Sequence, residues 1–208
     1  MSSTGYSDPI NHALAFAAKH HDQQVRKGTR APYFATPANV AVILTRYGRD
    51  ERTVVAGILR HAVEDYLREG YTPDAVRERL ADKFGQDAFD VLLGAACRRH
   101  DDDGIELSHE EQRADLLERL SAASDAARWV LAAHEVHEAS TLLADLRRTA
   151  FPESVWQRFA EGRDARVRWF TRVADRLEAV RFDGTILAEL RLVADALAGH
   201  AAREPLRR

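Results

Sequence analysis

Cysteine is almost missing from this sequence. Cys97 stands alone in 208 residues, which excludes an internal disulfide framework and any Cys-rich zinc module. Lysine is nearly as scarce: Lys19, Lys27 and Lys83 are the only lysines among 30 basic residues, so arginine carries almost all the positive charge. That excess reads first as genome bias, although the guanidinium fork also grips phosphate well. Acidic residues number 33 and the formal net charge is -3, so charge gives no argument for a nucleic-acid or acidic-membrane partner. No stretch approaches the ~20 apolar residues of a membrane span. The opening MSSTGYSDPI has neither a basic nor an apolar region, so no secretory signal is expected. A soluble, cytoplasmic chain is the expectation.

What is present reads as helix from end to end. Hydrophobic residues make up 45% and charged ones 30%, the balance of a globular chain with enough length for a substantial core. Asp8-Pro9, Thr36-Pro37 and Thr72-Pro73 each look like a helix start, with Pro at the first helical position and Thr as a cap. Asp50 suits a cap for ERTVVAGILRHAVEDYL, and Ser108 with Glu111 makes a capping box. Ser124 or Asp125 opens a long helix through ARWVLAAHEVHEASTLLADLRR, and two further amphipathic segments finish the chain. Clean strand alternation appears nowhere, and the gaps are short. The expectation is one all-α domain over residues 1–208. The acidic run Asp101-Asp102-Asp103 lacks the later oxygen ligands of a calcium loop and reads as a solvated turn.

Histidines are the first candidates for chemistry near neutral pH. His12, His20, His100, His109 and His200 lie in polar or terminal settings and read as surface residues. His61 ends the apolar run VVAGILR, with Glu64 and Asp65 three and four positions on and therefore on its side of a helix. That triplet suits a water-activating or metal-assisted site, and it equally suits a structural histidine beside a surface ion pair. His134 and His137 lie one turn apart, but HEVHE is not the HExxH zinc pattern.

Five segments, in order, carry a resemblance. ALAFAAKHHDQQVRKGTRAPYFATP is similar to A-x-x-x-H-x-G-Q-x-R-K followed by P-Y-x-x-H-P. ILRHAVEDY is similar to L-L-H-D-x-V-E-D, and FGQDAFDVLLGA to F-G-x-x-V-x-x-L. VLAAHEVHEASTLLADLRR is similar to L-A-D-K-x-x-N with its trailing helix, and VWQRFAEGRDARVRWF to W-x-R-F-x-x-G-R. The chain thus resembles the HD-domain phosphohydrolases of the RelA/SpoT type, including the small stand-alone alarmone hydrolases, over about residues 10–180. The resemblance implies a single HD-type helical bundle, with 181–208 as a C-terminal helical extension.

The resemblance further implies a divalent cation, usually manganese, that helps hydrolyse the 3′-pyrophosphate of guanosine tetraphosphate. Its four ligand positions fall here on Thr36, His61, Ala62 and His134, in place of two histidines and two aspartates. Only His61 is intact. Glu64 and Asp65 keep the pair that positions water, and they are the catalytic residues if the protein is active. Arg26, Lys27 and Tyr33 keep the nucleotide side, Glu138 stands where the family often has Asn, and Arg147 repeats a later family position. An alanine offers no donor, and a threonine hydroxyl replaces imidazole poorly on manganese. Both ligand carboxylates are gone together, so losing the cation leaves little buried charge unpaired. The expectation is a metal-free pocket, with no cofactor, for a guanosine-type nucleotide or another phosphorylated small molecule, catalytically weak or silent. Two rivals stay open. One is an active hydrolase in which His61, His134 and Asp65 hold manganese or another divalent metal. The other is a protein-interaction module. An oligomer is compatible with either.

Overall fold

A Ser, Thr or Asp side chain accepting a backbone N–H from the first turn sets where half of the helices begin. In this computed structural model, residues 6–203 are described. The first residues of the opening segment and the end of the expected C-terminal extension lie outside them. The helices of the described residues are α1 (Asp8–His20), α2 (Ala35–Arg46), α3 (Glu51–Arg68), α4 (Pro73–Phe84), α5 (Gln86–Ala95), α6 (His109–Arg119), α7 (Asp125–Arg148), α8 (Pro152–Trp156), α9 (Arg163–Ala179) and α10 (Ile186–Arg203). Ser7, Asp50, Thr72, Ser108 and Ser124 cap α1, α3, α4, α6 and α7, and Ser108 with Glu111 forms the expected capping box. No sheet forms among the described residues; Val25 with Pro32 and His100 with Glu106 make isolated bridges. The fold is an all-α bundle. None of its described helices is long and apolar enough to cross a membrane.

One start signal misleads. The helix expected to start at Thr36-Pro37 begins earlier, with Phe34 in the cap position and no side-chain bond, so Thr36 lies inside α2. Thr36 is 1% exposed, and its Oγ1 has no hydrogen-bond partner. It is therefore a buried residue of the site region, not a cap.

Two helices hold the bundle together. α3 packs on α1, α2, α4, α5 and α7, while α7 packs on α2, α3, α5, α8, α9 and α10. From Thr53 to Val63 every residue except His61 is buried, and so is every residue from Trp129 to His137. Gly57 permits the close approach of α2, since a Cβ there would lie 2.6 Å from Leu44 Cδ1. Helices enclosed on all faces are expected to be apolar throughout. Yet Arg60, His134, Glu135 and His137 are buried in these two. Buried polar side chains in central helices break the local rule, and such exceptions concentrate at functional sites.

The segment between α1 and α2 folds back on itself. Arg26 N–H donates to Ala31 O at 2.8 Å and Tyr33 N–H to Gln24 O at 2.9 Å. Gly28 has φ 83°, and a Cβ there would lie 2.2 Å from Arg158 Nε. Glycine thus lets the loop lie on Arg158, which brings Arg26, Lys27 and Tyr33 to the same cavity as His61 and His134. The acidic run forms the expected turn, with Asp101 Oδ1 accepting from the backbone of Asp103 and Ile105.

Candidate functional site

The site lies where α3 crosses α7. His61 and His134 face each other with ring centroids 4.7 Å apart. Helical spacing places Arg60, His61 and Glu64 together on α3. Arg60 Nη2 lies 3.0 Å from Glu64 Oε1, and Arg60 Nε–H donates to Ala95 O at 2.9 Å. Cys97 N–H also donates to Glu64 Oε1 at 2.9 Å, and His61 Nδ1 lies 3.3 Å from Glu64 Oε2. On α7, His134 Nδ1 lies 3.1 Å from Glu135 Oε1, while Trp169 Nε1–H donates to Glu135 Oε2 at 2.9 Å.

These contacts set the charges. Burial alone would raise the Glu64 carboxyl, but Arg60 and then His61 hold it well below the usual carboxylate range. Burial, followed by the nearby Arg60 and His61, keeps His134 well below the ordinary histidine range, so its ring is neutral. Glu135 is pushed up by burial, against the pull of Arg60 and Arg166. Burial pushes the Cys97 thiol up to about 12, with Glu64 adding to the effect, so this cysteine is no nucleophile at neutral pH.

Two chambers meet at the histidine pair, and His61, His134 and Arg166 line both. The first, about 550 Å³, is also lined by Gln24, Arg26, Lys27, Tyr33, Glu138 and Arg158. The second, about 430 Å³, opens between α3, α6 and α9 and is lined by Arg60, Glu64, Cys97, Arg113, Glu135 and Trp169, among others. Glu138 links the loop to α9: Arg166 Nη2 donates to its Oε2 at 3.0 Å, and Arg26 Nη2 forms a longer ion pair with its Oε1 at 3.8 Å. Tyr33 packs edge-on to His61 at 5.5 Å, and His21 on Tyr33 at 4.9 Å. Arg147 is exposed near the end of α7 and lines neither chamber.

Asp65 lies outside both chambers. Its Oδ2 lies 3.2 Å from His20 Nε2 and 3.9 Å from His21 Nδ1, and its Oδ1 accepts from Arg68 at 2.7 Å. His20, His21 and Asp65 are the described residues whose potential ligand atoms gather as a group of three, within 4.8 Å of one another. So the trio of His61, His134 and Asp65 expected of an altered metal site does not assemble. His20 reads as a surface residue from sequence and is instead an ion-pair partner. His109, in a polar setting in the sequence, lines the second chamber, and His21, which no spacing singles out, is 1% exposed.

The four implied metal positions offer a poor donor set. Ala62 has no donor, and Thr36 contributes a hydroxyl. His61 Nε2 and His134 Nε2 are buried without a partner. Two imidazoles and a hydroxyl, with no carboxylate, do not fit manganese, which favours oxygen ligands in octahedral geometry.

Burial leaves a pH signature. His21, His134 and His137 are all held below the usual histidine range, with burial the first cause in each. The unfolded chain takes up these protons near pH 6.5 while the folded chain does not, so stability falls as pH drops below about 6.5. Each histidine that stays neutral contributes a slope of at most about 1.4 kcal/mol per pH unit. Urea unfolding at pH 7.5, 6.5 and 5.5 should show a midpoint that drops between the last two. A midpoint that rises on acidification would contradict neutral burial.

The family described as HD domain matches residues 13–161. A GTP pyrophosphokinase of Myxococcus xanthus is 31% identical over 116 residues, covering 56% of this chain and 14% of that protein. A guanosine-3′,5′-bis(diphosphate) 3′-pyrophosphohydrolase of Aquifex aeolicus is 33% identical over 89 residues, covering 43% of this chain and 12% of that protein. The chain therefore spans only a small part of these curated relatives. Among solved structures, a metazoan ortholog of SpoT, described as hydrolysing ppGpp and acting in starvation responses, superposes with TM-score 0.67 at 23% identity, covering 96% of this chain and 98% of its own. The lmo0812 protein of Listeria monocytogenes superposes with TM-score 0.60 at 24% identity, covering 77% of this chain and 96% of its own. Both share the fold.

Proposed function

We propose that this chain, which belongs to the HD-domain family, binds a phosphorylated guanosine-type nucleotide without a metal and hydrolyses it weakly or not at all. The observation that carries this reading is the mismatch within one site. Arg26, Lys27 and Tyr33 line a chamber with His61 and His134, while the implied metal positions offer no carboxylate. The candidate catalytic carboxylates are also committed elsewhere. Both oxygens of Glu64 are engaged by Arg60, Cys97 and His61, and its lowered pKa makes it a weak base. Asp65 is held by His20 and Arg68 outside the chambers. The resemblance to proteins that act on guanosine tetraphosphate supports the ligand class.

Arg26→Ala should weaken binding of guanosine tetraphosphate by about 1–3 kcal/mol, roughly 5- to 150-fold, the scale of a charge-assisted hydrogen bond. Asp65→Ala should leave affinity unchanged or tighten it slightly, because its carboxylate contributes only repulsion to a phosphate. Calorimetry on the two variants checks both. Loss of turnover in Asp65→Ala, measured as pyrophosphate release, would instead establish an active hydrolase.

One observation favours that second reading. His61 and His134 each place one ring nitrogen beside a glutamate and leave the other buried and unpartnered, an arrangement that metal-binding histidines adopt. Elemental analysis of the purified protein separates the two: the metal-free reading expects no stoichiometric manganese, zinc or iron.

A further inference from the structure

The second chamber carries more arginine than its carboxylates explain. Arg60, Arg68, Arg98, Arg99, Arg113 and Arg166 line it, against Glu64, Glu106 and Glu135. Most of these guanidinium groups are occupied. Arg98 holds Asp115 and Asp102, Arg99 holds Glu106, Arg68 holds Asp65, and Arg113 holds Glu161. Arg60 and Arg166 differ, because each keeps a buried nitrogen without a partner: Nη1 of Arg60 and Nε of Arg166. Arg60 is 4% exposed. A buried donor left unpaired is costly, the more so on a charged group, so two such donors on residues that line one cavity mark a place for an acceptor.

Charge points the same way. Arg26, Arg113 and Arg166 share two carboxylates, Glu138 and Glu161, which leaves positive charge in excess. The sequence changes are concerted as well. Where the motif resembled by ILRHAVEDY has L-L-H-D, this chain has Leu59-Arg60-His61-Ala62: a guanidinium enters in the same turn from which a carboxylate leaves.

We propose that the second chamber is a phosphate site in which the buried Arg60 guanidinium, with Arg166, replaces the metal dication, and that it takes the pyrophosphate end of a ligand whose nucleoside occupies the first chamber. The inference rests on the nucleotide-binding reading above and deepens it. His61, His134 and Arg166 line both chambers, so a ligand spanning them passes the histidine pair. Both volumes fall within the range of small-molecule sites.

Calorimetry of the full chain in EDTA, with inorganic pyrophosphate and separately with guanosine tetraphosphate, tests this. Pyrophosphate should bind saturably without metal. Arg166→Gln and the paired change Arg60→Leu with Glu64→Gln should each weaken it at least tenfold, while Arg60→Lys, which keeps the charge, should weaken it less. Arg191 lines neither chamber and pairs with Asp175 and Glu178; Arg191→Gln, equal in charge change to Arg166→Gln, should leave it unchanged. Circular dichroism confirms that each variant is folded, and Arg166→Gln carries the test if the paired variant is not. Nucleotide binding that is sensitive to Arg26 but unaffected by the Arg60 and Arg166 changes, with no pyrophosphate binding, overturns the phosphate site and leaves the nucleotide reading standing. Pyrophosphate binding that follows Arg60 and Arg166, without any nucleotide binding, supports the site and overturns the nucleotide reading. No binding of either overturns both.

Discussion

Arg60→Leu alone should destabilise the protein by about 3–5 kcal/mol, the cost of stripping one partner from a buried ion pair. Glu64 would remain enclosed, with Cys97 N–H and His61 as its remaining partners, and Ala95 O would lose the donor that reaches it at 2.9 Å. Glu64→Gln on top of Arg60→Leu should recover a large part of the loss, because the orphaned charge disappears while the Cys97 amide keeps an acceptor. Urea unfolding of the unmodified chain, each single variant and the double variant, compared as a cycle, measures the coupling. A single change costing under ~1 kcal/mol, the scale of an exposed pair, would contradict the burial of this pair.

Restoring Thr36→His, Ala62→Asp and His134→Asp together should convert a protein with no stoichiometric metal into one that binds one manganese ion per chain. Single restorations should do little, since ligands act as a set. Manganese at a hundred times its dissociation constant would then stabilise the fold by about 2.7 kcal/mol, a rise in Tm of several degrees for a chain of this size. Adding Arg60→Leu should tighten metal binding further, because it removes a fixed positive charge near the ion. Titration of Tm with manganese reads out each of these proteins. A triple variant whose Tm ignores manganese would show that α2, α3 and α7 no longer hold the ligand positions together.

Local signals were readable and remote ones were not. Asp50, Thr72, Ser108 and Ser124 act as caps, since a cap needs only the next three residues. Thr36 does not cap under the same rule, because α2 already begins at Ala35 and a Thr-Pro pair does not by itself fix the first helical residue. The meeting of His61 with His134 followed from ordered motifs on α3 and α7. The partners that set their charges did not, because Arg60 to Ala95, Glu135 to Trp169 and Glu138 to Arg166 are 35, 34 and 28 residues apart. Arg60 was visible only as a basic residue inside VVAGILRHAV, an anomaly whose meaning depends on the burial of α3. His20 and Asp65 pair across 45 residues, which no spacing rule reaches. Arg147 fits its motif, yet its side chain is exposed, away from both chambers.

Calorimetry of the unmodified chain with guanosine tetraphosphate, in EDTA and again with excess manganese, combined with an assay for released pyrophosphate, tests the central claim most directly. The account predicts saturable binding of equal affinity in both conditions and at most a slow release that manganese does not raise. Binding or release that appears only with manganese would contradict it and return the site to metal-dependent hydrolysis.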